Sequence, residues 1–391
     1  MAVAADAIFQ AGRLFASVEP VGSRTLAARV EEAQARGVEV LPLSPYPLRP
    51  LPRHVVEAAE RAVVSQAESP SRGLGALRLA IAQRLGAELG RSVDPESQVL
   101  VTNGAMQALN IVFRALLNPG DQVLVPSPCY FFHGCIRLAG GTAVHVPMRE
   151  ADGFAWDIAA IQRAVTPRTR AIVVSSPVNP TGYVLSTGEL RALAQIAAEH
   201  GLLIVSDESY DKLVYDGAVH LSIGALPEAA DRTVVIRSFT KSYAMPAWRV
   251  GYLVAPPAGV ELFTRALEWE ILHPSHVAQA AACAAMMGDG GWLADVPTEF
   301  AALRDRLMTG LAGIPWLACV TPRGGPFAFL NVSRRFASSE AASEALLEQG
   351  IPTTPGWYCQ SDAHVRLAFG TTLATIDRVV QRLAAMDAGT G

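Results

Sequence analysis

From Gln98 onward the chain repeats one pattern: a short β-branched apolar run, then a longer stretch with apolar residues at helical spacing. The runs lie at residues 99–102, 123–125, 143–146, 171–174, 203–205, 234–236 and 250–254. Most of the pieces between them are amphipathic and long enough for a crossover helix, which parallel neighbours require. The pattern predicts an α/β fold: a mostly parallel seven-stranded sheet, buried on both faces and flanked by helices.

The flanking segments read differently. Residues 22–37 carry a helical pattern that stops at Gly37, and residues 38–43 read as a short strand. Residues 44–52 hold four prolines and are expected to form an irregular arm. Helices are predicted from Pro52 to about Ser65 and over residues 75–89. Beyond the repeat come a long helix over 259–287, broken near His273-Pro274, and another over 294–311. Strands at 318–321 and 327–332, a helix at 338–349, a strand at 365–369 and a last helix over 373–386, capped by Thr372, complete the chain. This tail reads as a smaller α+β domain packed with the N-terminal segment. The expected division is 1–51 (arm and part of the small domain), 52–287 (large domain) and 288–391 (C-terminal small domain).

Composition supports that organisation. At 391 residues the chain exceeds one ordinary core. Half of the residues are hydrophobic and 17% are charged, as in a compact, well-buried protein. A net charge of −4 argues against a nucleic-acid partner. The five cysteines form no CxxC pair and leave an odd thiol, which fits a reducing compartment; no metal site is expected. Residues 1–10 lack the basic start of a secretory signal, and the longest apolar run, around 277–287, is too short to span a bilayer. A soluble, cytoplasmic protein is expected.

The candidate chemistry sits at the carboxyl ends of the predicted strands, where ligands of open α/β sheets bind. Only two of the thirty-two basic residues are lysines, Lys212 and Lys241. Lys241 lies between Ser238 and Arg249, both residue types that bind phosphate. An amine that can lose its proton and attack a carbonyl, beside two phosphate ligands, suggests a pyridoxal-phosphate Schiff base. Gly104-Ala105-Met106 joins a strand to a helix whose first amides suit a phosphate; alone it would be a tight turn. Asp207 ends a buried strand, either as a helix cap or as the partner of a pyridine nitrogen. Tyr210, three residues on, is a core aromatic or a donor to the ring's phenolic oxygen. Asn179, in Asn179-Pro180-Thr181-Gly182, belongs to a turn or reaches that same oxygen through a strained or cis bond to Pro180. Tyr130 is placed to stack on a pyridine ring. Arg366, inside an apolar strand, needs an anion: a structural salt bridge or a substrate carboxylate.

Taken together, Asn-Gly-Ala, Pro-Cys-Tyr, Asn-Pro-Thr-Gly, Ser-Asp-Glu-Ser-Tyr, Ser-Phe-Thr-Lys-Ser and Trp-Arg-Val-Gly-Tyr resemble, in order and spacing, the class I/II pyridoxal-phosphate aminotransferases of fold type I. The resemblance runs from Gly37 through the last strand. It implies that Lys241 carries the cofactor and that Asp207 pairs with the ring nitrogen. It further implies that Asn179 and Tyr210 hold the phenolic oxygen, and that Tyr130 stacks on the ring. By the same likeness Ala105, Met106, Ser238 and Arg249 hold the phosphate, with Gly104 at the turn, and Arg366 takes the substrate's α-carboxylate. A homodimer with the active site at the interface is implied, acting on an amino acid and a 2-oxo acid. Other pyridoxal-phosphate reactions on an amino acid (β- or γ-elimination, decarboxylation, oxidation) use the same residues. A non-enzymatic ligand sensor is the remoter alternative. Three departures from the family pattern stand out, one of them Ala247-Trp248 before Arg249, where the family often has Gly-Leu. Tyr46 occupies an arm that usually carries glycine and is expected to cap the substrate pocket. Residues 65–72, just ahead of Gly73-Leu74, contain no tyrosine, leaving Ser69, Ser71 or Arg72 in the place of a partner-subunit phosphate contact.

Overall fold

The computed structural model describes residues 11–65 and 67–386; the reading of residues 1–10 lies outside them. Three helices come first: α1 (Gly22–Ala35), α2 (Arg53–Ser65) and α3 (Gly75–Leu89). The alternating region follows as β1 (Val99–Thr102), α4 (Ala105–Leu116), β2 (Gln122–Ser127), α5 (Phe132–Leu138), β3 (Thr142–Pro147), α6 (Ile158–Arg163), β4 (Thr169–Ser175), α7 (Thr187–His200) and β5 (Leu203–Asp207). It closes with β6 (Thr233–Ser238), α8 (Phe239–Ser242), β7 (Gly251–Val254), α9 (Pro257–Ile271) and α10 (His276–Met287). The remainder is α11 (Val296–Leu311), β8 (Ala318–Cys319), β9 (Phe327–Asn331), α12 (Ser339–Glu348), β10 (Thr353–Pro355), β11 (His364–Ala368) and α13 (Leu373–Ala385).

The seven strands order as β1-β7-β6-β5-β4-β2-β3. Only β7 runs against its neighbours; the rest are parallel. The pleat sorts side chains between two cores. Val123, Val125, Val205 and Ile236 face α4, α5 and α9, whereas Leu124, Ile172 and Ile204 face α7. Val101, Val235 and Tyr252 face α2, α3 and α10 on that same second side. Both faces are therefore covered, which is why the strands read as continuous apolar runs.

The second sheet, ordered β10-β11-β9-β8, is antiparallel. Leu41 of the N-terminal segment packs into its core beside Phe300, Leu367 and Leu383. The helix over 259–287 is broken where expected, between Ile271 and His276. Thr372 accepts the Thr375 N–H as the cap of α13.

Three readings need correction. Residues 38–43 are not a strand: the Leu41 N–H bonds the Gly350 carbonyl and only Ser44 makes a bridge, to Gly370. Pro42 and Pro45 have no N–H, so no ladder can propagate there. Strand β10 was not anticipated, because Pro352 and Pro355 signal a loop; at a sheet edge prolines are tolerated. The strand expected at 318–321 spans only Ala318–Cys319. Among the described residues, no helix is long and apolar enough to cross a membrane.

Candidate active site

Strand β5 ends in Asp207, and β6 runs through Ser238 into the one-turn helix that carries Lys241. In the parallel register Asp207 lies opposite Ile236, so its side chain points to the α4 side of the sheet. Asp207 and Lys241 are both half-buried. Burial pushes the Asp207 carboxyl above its ordinary range; the Ser209 N–H donates to it at 3.0 Å, and Lys241 pulls in the same downward direction. Burial pushes the Lys241 amine down to about 7, helped by the charges of Arg366 and Arg249 and opposed by Asp207. An amine that is substantially neutral at physiological pH is a nucleophile.

An anion cradle lies at the N-terminus of α4. Gly104, the residue ahead of the helix, has φ 83° and ψ 168°, a conformation that suits glycine. A Cβ there would lie 2.7 Å from the Arg249 guanidinium. Gly251 abuts the same turn, and a Cβ on it would meet the Gly104 and Ala105 backbone at 2.7–2.9 Å. The amides of Ala105 and Met106 open the helix and have no intrahelical acceptor. Arg249 adopts the left-handed conformation, φ 56°, a strained choice for a non-glycine. It is held by Thr240 Oγ1 and the Pro246 carbonyl, both at 3.3 Å. Burial lowers its pKa, and so does the nearby charge of Arg24 on α1. Ser238 uses its oxygen to accept the Thr240 N–H at 3.2 Å and keeps its own O–H to donate elsewhere.

The other wall comes from the second sheet. Arg366 on β11 is buried, with its guanidinium 4.1 Å from the Tyr130 ring centroid and 4.4 Å from that of Phe327. It donates to Asn179 Oδ1 at 2.9 Å and to Thr354 Oγ1 at 3.2 Å. No carboxylate neutralises it among the described residues, which leaves the structural salt bridge unfilled. Asn179 is joined to Pro180 by a cis bond, and burial pushes the neighbouring Tyr210 phenol above its ordinary pKa. The Tyr130 hydroxyl accepts the Ser23 N–H at 2.6 Å. Tyr46 lies with its ring centroid 4.8 Å from Lys241 Nζ. Its arm is pinned to the second unit by the Ser44–Gly370 bridge and by Arg49 to Asp295 and Glu299.

Of the residues singled out in the sequence, Tyr46 and Tyr210 flank Lys241, Tyr130 and Asn179 join Arg366, and Gly104 adjoins Arg249, whereas Ser69 and Arg72 are engaged elsewhere. Ser69 is engaged with His276 Nδ1 and Gln279, and Arg72 with the Glu96 carbonyl. Trp248 packs on the core beside α2, α3 and α10. Sequence reasoning missed Thr354, Phe327, Thr240 and Arg24, which adjoin the site only through tertiary contact. It also missed Arg237, although a charged residue inside an apolar strand is the signal that revealed Arg366.

Residues 45–383 match the family Aminotransferase class I and II. The chain belongs to that family. It is 35% identical to a probable aspartate/prephenate aminotransferase of Thermus aquaticus, over 94% of this chain and 97% of that protein. It is 31% identical to aromatic-amino-acid aminotransferase 2 of Thermococcus litoralis, over 85% of this chain and 87% of that one. Aspartate aminotransferase of Thermus thermophilus, solved with maleate, superposes with a TM-score of 0.91 at 34% identity, covering 96% of this chain and 99% of that one. The chain is an aminotransferase with the fold of these enzymes.

Proposed function

We propose that this aminotransferase uses pyridoxal 5′-phosphate, held on Lys241, to move an amino group from an α-amino acid to a 2-oxo acid. One observation carries the reading: a lysine amine lowered to about 7 lies close enough to interact with a carboxylate raised by burial. Such a carboxylate calls for a cation that this chain's neighbouring residues do not fully supply, and a protonated pyridine nitrogen is such a cation. The α4 turn, Arg249 and Ser238 suit the phosphate, and the amine suits the aldehyde, so the donor set fits the cofactor. When bound, the cofactor supplies an electron sink for charge developing at the substrate's Cα.

Each residue then has a task. Lys241 would hold the cofactor's aldehyde and would supply the amine base for the proton at the substrate's Cα. Asp207 keeps the ring nitrogen protonated. Asn179 and Tyr210 orient the phenolic oxygen, and Tyr130 packs on the ring. Arg366 holds the α-carboxylate, and Tyr46 covers the amine from the arm side, excluding water. We also propose that the chain works as a homodimer with the site near the interface; the large exposed apolar residues Val64, Trp269 and Met287 support this.

Mixing the purified enzyme with aspartate, glutamate or aromatic amino acids should convert the visible lysine-bound cofactor band to the pyridoxamine-phosphate absorption. No conversion with any amino acid would sink the transamination reading. Arg366→Lys should raise KM for the amino acid by about 10- to 100-fold with a smaller loss in kcat, because lysine cannot reproduce a bidentate guanidinium. Gly251→Ala should weaken pyridoxal-phosphate affinity by about tenfold, as its methyl displaces the first turn of α4; titration of the cofactor into the stripped chain measures this.

A further inference from the structure

Beneath the site, on the opposite face of the sheet from Asp207, lies a buried ionic cluster that the proposed mechanism does not use. Arg237, the residue before Ser238 on β6, is 4% exposed. It donates to Glu208 Oε2 through Nε at 3.1 Å and Nη2 at 2.9 Å, and Nη1 lies 3.0 Å from Asp211 Oδ2. Glu88 of α3 completes its shell, and Lys212 pairs with Glu88 and Asp211. Glu208 also accepts from Ser206 at 3.0 Å and Ser222 at 2.6 Å, and meets His220 Nε2 at 3.3 Å. Asp211 accepts from the Ser242 hydroxyl at 2.6 Å.

The connectivity is the informative part. Glu208 directly follows Asp207, and Ser242 directly follows Lys241. One guanidinium therefore grips the residue next to the carboxylate and, through Asp211 and Ser242, the residue next to the amine. Ser238, the proposed phosphate donor, is the adjoining residue on its own strand. A buried cluster of this kind is a poor device for stability alone, since apolar residues of the same volume serve as well or better. What it does supply is a fixed geometry among three separate elements.

Resting on the function proposed above, we infer that Arg237 is a positioning residue for the reaction: by clamping Glu208 and the Asp211–Ser242 pair, it sets the placement of the Asp207 carboxylate relative to the Lys241 amine. The strand β5 end and helix α8 have no other described side-chain tie of this kind, and α8 is only four residues long. A displacement near 1 Å at either group is costly to catalysis.

The test compares wild-type holoenzyme with Arg237→Met, Arg237→Lys and Ser242→Ala. Ser242→Ala removes one tether and leaves the ionic cluster in place. We expect kcat to fall about 10- to 100-fold in Arg237→Met and about fivefold in Ser242→Ala, with KM within about twofold. Arg237→Lys should recover only part of the loss, because lysine cannot hold two carboxylates in a planar fork. The visible absorbance of the lysine-bound cofactor is titrated with pH in parallel, and its midpoint should move by about half a unit or more in the same variants. Should Arg237→Met fail to fold, Ser242→Ala and Arg237→Lys decide. Variants that lower only the melting temperature, leaving kcat and the spectral midpoint at wild-type values, overturn the inference and leave the aminotransferase reading intact. A wild-type chain that binds no pyridoxal phosphate overturns both.

Discussion

Lys241→Ala lowers turnover by about 10⁴-fold or more while the chain still folds. The size follows from the two tasks that fall on one amine, anchoring the cofactor and moving the Cα proton. Folding is expected to survive because the side chain belongs to no hydrophobic core: its neighbours are the Tyr46 and Tyr210 rings at 4.8 and 5.7 Å. The same environment sets a pH dependence. Burial first, then Arg366 and Arg249, hold the amine down to about 7, with Asp207 opposing. The neutral amine therefore predominates above that pH, and capture of pyridoxal phosphate by the stripped chain should rise through pH 7 and level off above it. Only two lysines occur in the sequence. A chain labelled with carbon-13 at lysine Cε should thus give two signals, the one lost in Lys241→Ala titrating near 7. A midpoint near the ordinary lysine value would refute the electrostatic argument.

Asp207→Asn reduces kcat by about 10²- to 10³-fold with little change in KM, the loss typical of removing one pre-organised electrostatic partner. Asparagine keeps the volume but cannot hold the ring nitrogen protonated. The effect on stability has the opposite sign. Burial raises the Asp207 carboxyl, and Glu208 adds to this, so the folded chain binds its proton more tightly than the unfolded one. The charged form is therefore disfavoured in the fold, and its cost grows as pH rises through the carboxylate range. The cofactor-free Asp207→Asn chain should melt at a higher temperature than cofactor-free wild type at neutral pH, while its cofactor-loaded form gains less from the ligand. Calorimetry of both forms checks the pair of signs. An equal or lower melting temperature for the cofactor-free variant would show that Asp207 is already compensated within this chain.

Much of the site was legible because chemistry at the strand ends is local in sequence. Asp207 and Ser238 lie two residues beyond apolar runs and Lys241 five, and each breaks the pattern in a way that burial alone would not favour. Arg366 was legible for the same reason, as a guanidinium inside an apolar strand. Arg237 carried the same signal and was overlooked, because its partners Glu88, Glu208 and Asp211 lie on three different segments. The strand expected at residues 38–43 failed on proline placement, and β10 was hidden by the same residue type at a sheet edge.

By itself, the order of apolar runs and helical stretches determined the α/β class and the seven-strand count and marked the candidate residues at the strand ends, because periodicity and strand-end position are properties of short segments. Tertiary structure alone decided the rest. It reversed β7 within the sheet, placed Arg366 between Tyr130 and Phe327, laid Tyr46 over Lys241, and joined the Asp207 and Lys241 carriers through one buried guanidinium. Those outcomes depend on contacts between residues from 9 to 236 positions apart, and such contacts are selected by the packing and charge balance of the whole fold.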